Sequence, residues 1–374
     1  MLTLQALLGD LLLGTAAAYA VLALIAPRPR EVRGAPVSSA RGVTVLKPLC
    51  GAETHLFENL SSLCVQTLPD FQIVCGVRDP NDAAIAVVNR VRAAHPECDI
   101  ELVVDPRVHG TNLKVSNLIN LVRRARHEIL VIADSDIGVP PDYLERLALT
   151  LADERIGLVT CLYRGRPVHG LWSRVGALFI DTWFLPSVRI AHWFGARTFG
   201  FGATVALRRS TLSDLGGFAA LRNRLADDYW LAEGVRALGL ATAISEVCVI
   251  TDVSEAHLLG LWTRELRWLR TIRSLNPLGF FFTFITYTLP VVAIGLALAP
   301  STFAVCVAAL GVLARLGLHW RRPAPHLSAP GGLVLAPLRD LLLLAGWAWA
   351  LVGRHVEWRD QVHALNDSSA DPHP

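Results

Sequence analysis

Charge is scarce in this chain. Asp, Glu, Lys and Arg make up 18 % of its 374 residues and hydrophobic residues 52 %, which argues against an ordinary soluble protein and for one soluble domain joined to membrane segments. The formal net charge of +3 is too small for a nucleic-acid surface, and no basic patch with interleaved aromatics occurs. Cysteine is sparse and unpatterned: Cys50, Cys64, Cys75, Cys98, Cys161, Cys248 and Cys306 are odd in number, widely spaced and without a Cys-x-x-Cys pair. Neither a disulfide framework nor a zinc site is indicated, and a reducing compartment fits. No GxGxxG or GxxxxGK[ST] run is present, which disfavours Rossmann dehydrogenases and P-loop NTPases. Any phosphate would then be neutralised by side chains and metal.

What is present starts with residues 129–140, ILVIADSDIGVP. Five apolar residues running into Asp134-Ser135-Asp136 read as a strand buried on both faces of a parallel sheet, ending in two acids where α/β folds bind ligands. The turn can aim both carboxylates at one hard cation holding a diphosphate. Further strands are expected at 43–46, 72–77 and 100–104, with helices at 53–66, 82–94 and 114–126, a pattern of βα units and a mainly parallel, doubly wound sheet. Such a sheet gathers its ligands at strand C-termini, so Asp79, Lys114, Asp134 and Asp136 are expected in one crevice. Asp79 can accept hydrogen bonds from a base or ribose, Lys114 can meet phosphate, and the acidic pair can hold Mg²⁺ or Mn²⁺.

Two later motifs carry chemistry. Asp227-Asp228 opens an amphipathic stretch; the helix dipole accounts for one acid there, and the other can take a proton from an attacking hydroxyl. Arg264 and Arg267 are three apart on a helix just before an apolar stretch, so both guanidiniums can reach one diphosphate while Trp268 points elsewhere; the competing reading is a positive-inside flank.

The ordered set Asp79, Asp134-x-Asp136, Asp228 and Arg-x-x-Arg-Trp resembles the family 2-like glycosyltransferases that act processively or on lipid acceptors. More narrowly, Lys47-Pro48-Leu49-x-Gly51, Asn59-Leu60, Asn112-x-Lys114-x-x-Asn117-Leu118, Asp228-Tyr229 and Arg264-x-x-Arg267-Trp268 resemble the ceramide glucosyltransferase family, family 21. The length and Ala/Arg-rich composition are similar to its bacterial hopanoid-biosynthesis branch. The resemblance implies an α/β GT-A (Rossmann-like) domain and an inverting hexosyltransferase. It implies Asp79 on uridine, Asp134 on the diphosphate through a divalent metal with Asp136 assisting, Asp228 as base, and Arg267 and Trp268 over the diphosphate and acceptor end. The implied reaction moves N-acetylglucosamine from UDP-GlcNAc to a hopanoid polyol such as bacteriohopanetetrol. The alternative is glucose from UDP-glucose to ceramide. Two departures stand out: Arg264 where the wider superfamily has Gln, and Asp227 where Glu is usual before the base.

Membrane segments frame this domain. Residues 4–27 are apolar but for Asp10, long enough to span a bilayer core of about 30 Å. No basic residue precedes the run and it continues past Ala18-Tyr19-Ala20, so it reads as an uncleaved anchor rather than a signal peptide. Arg28, Arg30, Arg33 and Arg41 follow it, which places the next domain in the cytoplasm; the resemblance to the bacterial branch implies an inner membrane. Residues 280–298 and 302–318 are expected to span as a hairpin, with Arg321 and Arg322 beyond; 333–353, broken by Arg339 and Asp340, fits a third span or a re-entrant helix. The expected layout is an anchor at 1–27, a catalytic domain at 28–277, a membrane region at 278–353 and a polar tail at 354–374, of which 366–374 reads as disordered. Aromatic-rich residues 164–202 read as a surface at the membrane interface or a buried helix, with His169 and His192 given no role. A membrane phosphotransferase could use the same acidic pair but would leave Asp228 and the Arg-x-x-Arg-Trp motif without a shared role. A non-enzymatic scaffold would not need the carboxylates.

Overall fold

The computed structural model describes residues 4–29, 42–320, 331–353, 355–358 and 361–364. The expectations for Arg30, Arg33, Arg41, Arg321, Arg322 and the tail at 366–374 lie outside the described residues. In chain order the elements are α1 (Leu4–Ile25), β1 (Val43–Pro48), α2 (Leu56–Cys64), β2 (Phe71–Val77), α3 (Ala84–Ala94), β3 (Ile100–Val104), α4 (Leu113–Leu121), β4 (Ile129–Ala133), β5 (Ile137–Gly138), α5 (Tyr143–Leu151) and β6 (Ile156–Pro167). Then come α6 (Gly170–Phe179), α7 (Leu185–Trp193), β7 (Thr204–Arg208), α8 (Arg209–Asp214), α9 (Asp227–Ala237), β8 (Ala241–Val253), α10 (Leu258–Leu275), α11 (Pro277–Phe282), α12 (Thr288–Leu298), α13 (Thr302–Gly317), α14 (Gly331–Ala350) and a hairpin of β9 (His355–Trp358) and β10 (Gln361–Ala364). The chain divides into a sheet unit, Arg28–Arg164 with Gly195–Asp252, and a helical unit, Met1–Pro27, Gly165–Phe194 and Val253–Pro374. Residues 165–194 and 253–277, expected within the catalytic domain, therefore cluster with the helical unit.

In the sheet unit the strand order is β3-β2-β1-β4-β7-β6-β8-β5. β1 pairs in parallel with β2 and β4, setting Val43 opposite Phe71 and Ile129, and β2 pairs in parallel with β3. β7 is antiparallel to β4 and β6, and β5 to β8. The expected parallel sheet is thus one half of a mixed sheet. The βα pattern that marks parallel crossovers ends with α5, and β6 leads into α6 and α7 rather than into a crossover helix.

Alternation explains the apolar runs. Val45, Cys75, Val131 and Ala133 pack under α2, α3 and α5, whereas Leu46, Val74, Leu130 and Ile132 pack against α4 and α9. A strand covered on both faces favours apolar side chains throughout and takes a polar one only where it is hydrogen-bonded, as Thr44 and Gln72 are to each other. Along β4 the first one comes at Asp134, where the chain leaves the sheet.

In the helical unit, α1 lies against α12 through small residues: a Cβ on Gly9 would come 2.7 Å from that of Ala299, and one on Gly295 2.7 Å from the Leu13 Cγ. Among the described residues two helices are long and apolar enough to cross a membrane, Leu4–Ile25 and Gly332–Ala350, or three if a bent pair counts as one. The span expected over 280–298 is that pair: Pro277–Thr286 and Thr288–Leu298 meet at 75°. Tyr287 leaves helical geometry (φ −85°, ψ 76°), and the Pro290 ring would clash with the Thr286 carbonyl in a continuous helix. At 16 residues α13 falls short of the roughly 20 a span needs. Within the aromatic segment Phe179, Ile180, Trp183 and Leu185 are buried, while Leu171, Trp193 and Phe194 are exposed.

The two charges that interrupt α14 are both paired inside this unit. Arg339 makes a two-pronged bond to Glu265, 2.7 Å on each side. Asp340 accepts from Arg315 Nη2 at 2.6 Å and from the Leu289 backbone at 3.2 Å. Removing one member of such a pair strands a buried charge, whereas removing both does not. Asp340→Asn is accordingly expected to lower stability by about 3–5 kcal/mol, and the double change Arg315→Met/Asp340→Leu by far less. Thermal unfolding in detergent checks this; equal losses for the two variants would contradict it.

Candidate active site

The start of α4 is built to present a lysine. The Asn112 side chain caps the helix, Oδ1 accepting from the Val115 N–H at 3.0 Å, while its Nδ2 donates to the Arg224 carbonyl at 2.8 Å. Thr111 N donates to Asn223 Oδ1 at 3.1 Å, and a Cβ on Gly110 would lie 2.4 Å from the Arg222 carbonyl oxygen. Gly110-Thr111-Asn112 therefore folds directly onto residues 222–224, which lead into α9. That contact brings Lys114 to the N-terminus of α9, where Asp227 and Asp228 occupy the first turn.

Lys114 Nζ stands 2.7 Å from Asp134 Oδ1 and 3.5 Å from Asp227 Oδ2. Burial works against its charge, but Asp134, Asp227 and Asp228 outweigh it and hold its pKa above the ordinary lysine value. Asp228 is pushed up to about 6, chiefly by burial and then by Asp227, with Lys114 opposing. Its Oδ1 accepts from the Tyr229 N–H at 2.8 Å. The space in front of these acids is kept open by glycines that sequence reading passed over. A Cβ on Gly202 would lie 3.2 Å from Asp228 Oδ2 and 3.6 Å from Asp134 Oδ2, and one on Gly200 2.7 Å from the Asp228 carbonyl oxygen. The Gly-Phe-Gly run at 200–202 was the available signal.

Asp134 and Asp136 face different neighbours. Asp136 Oδ2 accepts from Thr251 Oγ1 at 2.6 Å, and burial followed by the Asp134 charge pushes its carboxyl up to about 7. Among the described residues no three His, Cys, Asp or Glu side chains form a metal cage. The donor chemistry nevertheless fits a hard cation: Asp134 Oδ2, the oxygen that Lys114 does not pair with, is an oxygen donor suited to Mg²⁺ or Mn²⁺. Asp79 is exposed at the end of β2, where its Oδ1 accepts from the Asn81 N–H at 2.8 Å. Asp82, close by, accepts from the Gly51 N–H at 2.9 Å and ties the loops after β1 and β2 together.

The profile of Glycosyl transferase family 21 matches residues 10–370. The chain belongs to this family. Ceramide glucosyltransferase 1 of Caenorhabditis elegans is 25 % identical over 243 residues, 65 % of this chain and 52 % of that protein. The ceramide glucosyltransferase of Candida albicans is 27 % identical over 139 residues, 34 % of this chain and 25 % of that protein. The chain thus spans about half the length, or less, of these curated relatives. A mannosyltransferase of Pyrobaculum calidifontis, solved with GDP-mannose and Mn²⁺, is 21 % identical with a TM-score of 0.54, covering 93 % of this chain and 97 % of its own. That likeness is one of fold, and the expected α/β GT-A fold is the observed one. This family 21 member also carries the last of the expected motifs.

Its Arg-x-x-Arg-Trp motif lies on α10 in the helical unit. Arg264 Nη1 is 2.7 Å from Glu255 Oε2, and its guanidinium sits 5.0 Å from the centre of the Trp268 ring. Trp268 therefore does not point away from Arg264 as expected. Four residues separate the two, so they share a helix face, and Trp268 also packs against Phe179 at 5.4 Å. Nε and Nη2 of Arg264 are buried without a hydrogen-bond partner, and a Cβ on Gly176 would lie 2.8 Å from Nη2. Arg267 is half-buried on the same helix.

Two outcomes follow from the crowding around Asp228. Gly202→Ala is expected to lower kcat/KM about tenfold or more by displacing the carboxylates, with an unfolding midpoint near wild type; full activity would contradict the geometry. A raised pKa leaves Asp228 protonated at mildly acid pH, so kcat/KM is expected to fall about tenfold per pH unit below about pH 6. A profile flat to pH 5 would contradict this.

Proposed function

We propose that the chain moves a sugar from a UDP-sugar to the hydroxyl of a membrane lipid, with inversion at the anomeric carbon and Asp228 as base. The observation that carries this is the grouping of one buried ammonium, Lys114, with Asp134 and Asp227 beside an Asp228 whose pKa is raised to about 6. A base of that pKa is largely ionised at neutral pH yet able to accept a proton. The acceptor O–H gives its proton to Asp228 while its oxygen bonds to the anomeric carbon; the bond from that carbon to the diphosphate oxygen breaks, and UDP leaves with the electron pair. Lys114 supplies fixed positive charge for the leaving diphosphate. Asp134, with Asp136 in the same turn, would hold Mg²⁺ or Mn²⁺, which when bound adds charge neutralisation at the diphosphate. Asp79 is assigned to the uridine, and Arg264, Arg267 and Trp268 to the diphosphate and acceptor end.

For substrates, the reading is N-acetylglucosamine from UDP-GlcNAc to a hopanoid polyol, at a bacterial inner membrane with the sheet unit on the cytoplasmic side. The sequence resemblance and the Ala/Arg-rich composition support it. Ceramide glucosylation from UDP-glucose is the second reading, favoured by the names of the curated relatives. The test is transfer of labelled sugar from UDP-GlcNAc or UDP-glucose to lipid extracts holding hopanoid polyols or ceramide, with wild type and Asp228→Asn compared. Hopanoid-dependent transfer from UDP-GlcNAc, with kcat about 10²–10⁴-fold lower in the variant, is expected. Transfer from UDP-glucose to ceramide would replace the substrates and keep the mechanism; an active Asp228→Asn would overturn the base assignment.

A further inference from the structure

Lys47 is a lysine where a strand needs an apolar residue. It is the fifth residue of β1 and wholly buried, and an ammonium withdrawn from water is tolerated only if it is bonded. Its Nζ donates to the backbone carbonyl of Asp134 and, at 3.3 Å, to that of Ile137. These are the two ends of the acidic turn, itself closed by the Ile137 N–H to the Asp134 carbonyl at 3.2 Å. From the other side the turn is clipped to β8: Thr251 Oγ1 donates to Asp136, and the Asp252 N–H to the Asp136 carbonyl at 3.1 Å. Asn59 Nδ2 donates to Asp252 Oδ2 at 3.1 Å and steadies that clip. With no exposed surface Lys47 cannot touch a substrate, and a Met of similar length would fill the same space without a buried charge. What the charge adds is the hold on two carbonyls.

We infer that Lys47 is the positioning residue of the acidic turn, its ammonium fixing the Asp134 and Ile137 carbonyls and so setting where the Asp134 carboxylate meets a metal-bound nucleoside diphosphate. This rests on the donor reading proposed above. Asp134 then owes its place to two lysines: Lys114 on its side chain and Lys47 on its backbone.

Calorimetric titration of the full chain in detergent with UDP and Mn²⁺ tests it. Lys47→Met is expected to weaken UDP–Mn²⁺ binding about tenfold or more, as displacement of a positioned ligand does; a space-filling role would move the unfolding midpoint alone. A folded Lys47→Met with wild-type affinity overturns the inference. Should Lys47→Met fail to fold, Lys47→Arg decides. It keeps the charge, but its longer, planar head displaces the two carbonyls, so weakened binding supports the inference and wild-type affinity overturns it. A wild-type chain that does not bind UDP–Mn²⁺ overturns the donor reading itself, an outcome distinct from binding that Lys47 does not influence.

Discussion

Asp134, Asp227 and Asp228 approach one another closely only because the Lys114 ammonium stands among them, 2.7 Å from the first and 3.5 Å from the second. Three carboxyls in a half-dry space repel one another, and Asp228, whose pKa is raised first by burial, is raised further by Asp227. Each comes from a different part of the chain: Asp134 from the end of β4, Lys114 from the first turn of α4, and the aspartate pair from the first turn of α9. The sheet sets the first, and the Asn112 cap, bonded across to Arg224, joins the other two. Lys114 is therefore the neutraliser of the cluster and, in the proposed reaction, the group that meets the departing diphosphate.

The two units treat buried charge differently. In the helical unit Arg315 meets Asp340 and Arg339 meets Glu265, one cation to one anion, which suits positions that must stay closed. In the sheet unit Lys47 and Lys114 stand among five carboxyls, Glu53, Asp134, Asp136, Asp227 and Asp228. That surplus of acid is poor design for a core and matches the proposed site, which takes up a cation and a proton.

Much of the sheet was legible because burial on two faces leaves an unambiguous apolar run. β3 and β4 fall on the expected residues, and β1 and β2 are only longer by two and one. The acids were legible because each follows such a run or opens a helix. What could not be read depends on contacts between distant segments. Nothing local says that Gly110 packs on the Arg222 carbonyl, that Gly200 and Gly202 pass over Asp228, or that Lys47 points under a turn ninety residues away in sequence. In the antiparallel half the apolar runs are broken: β6 ends in Arg164 and Arg166, and β8 interleaves Thr242, Ser245, Glu246, Thr251 and Asp252 with its apolar residues. The break at Tyr287 was hidden in a stretch whose hydropathy is continuous. Trp268 was placed away from Arg264 although four-residue spacing puts them together.

The central claim is direct displacement with a single base, and the anomeric configuration of the product tests it most directly. The full chain, given an α-configured UDP-sugar and its lipid acceptor, should form a glycolipid whose anomeric proton signal by NMR is that of the β-linked sugar. An α-linked product would contradict the account, because retention calls for a nucleophile or a same-face path that Asp228 acting as a base does not provide.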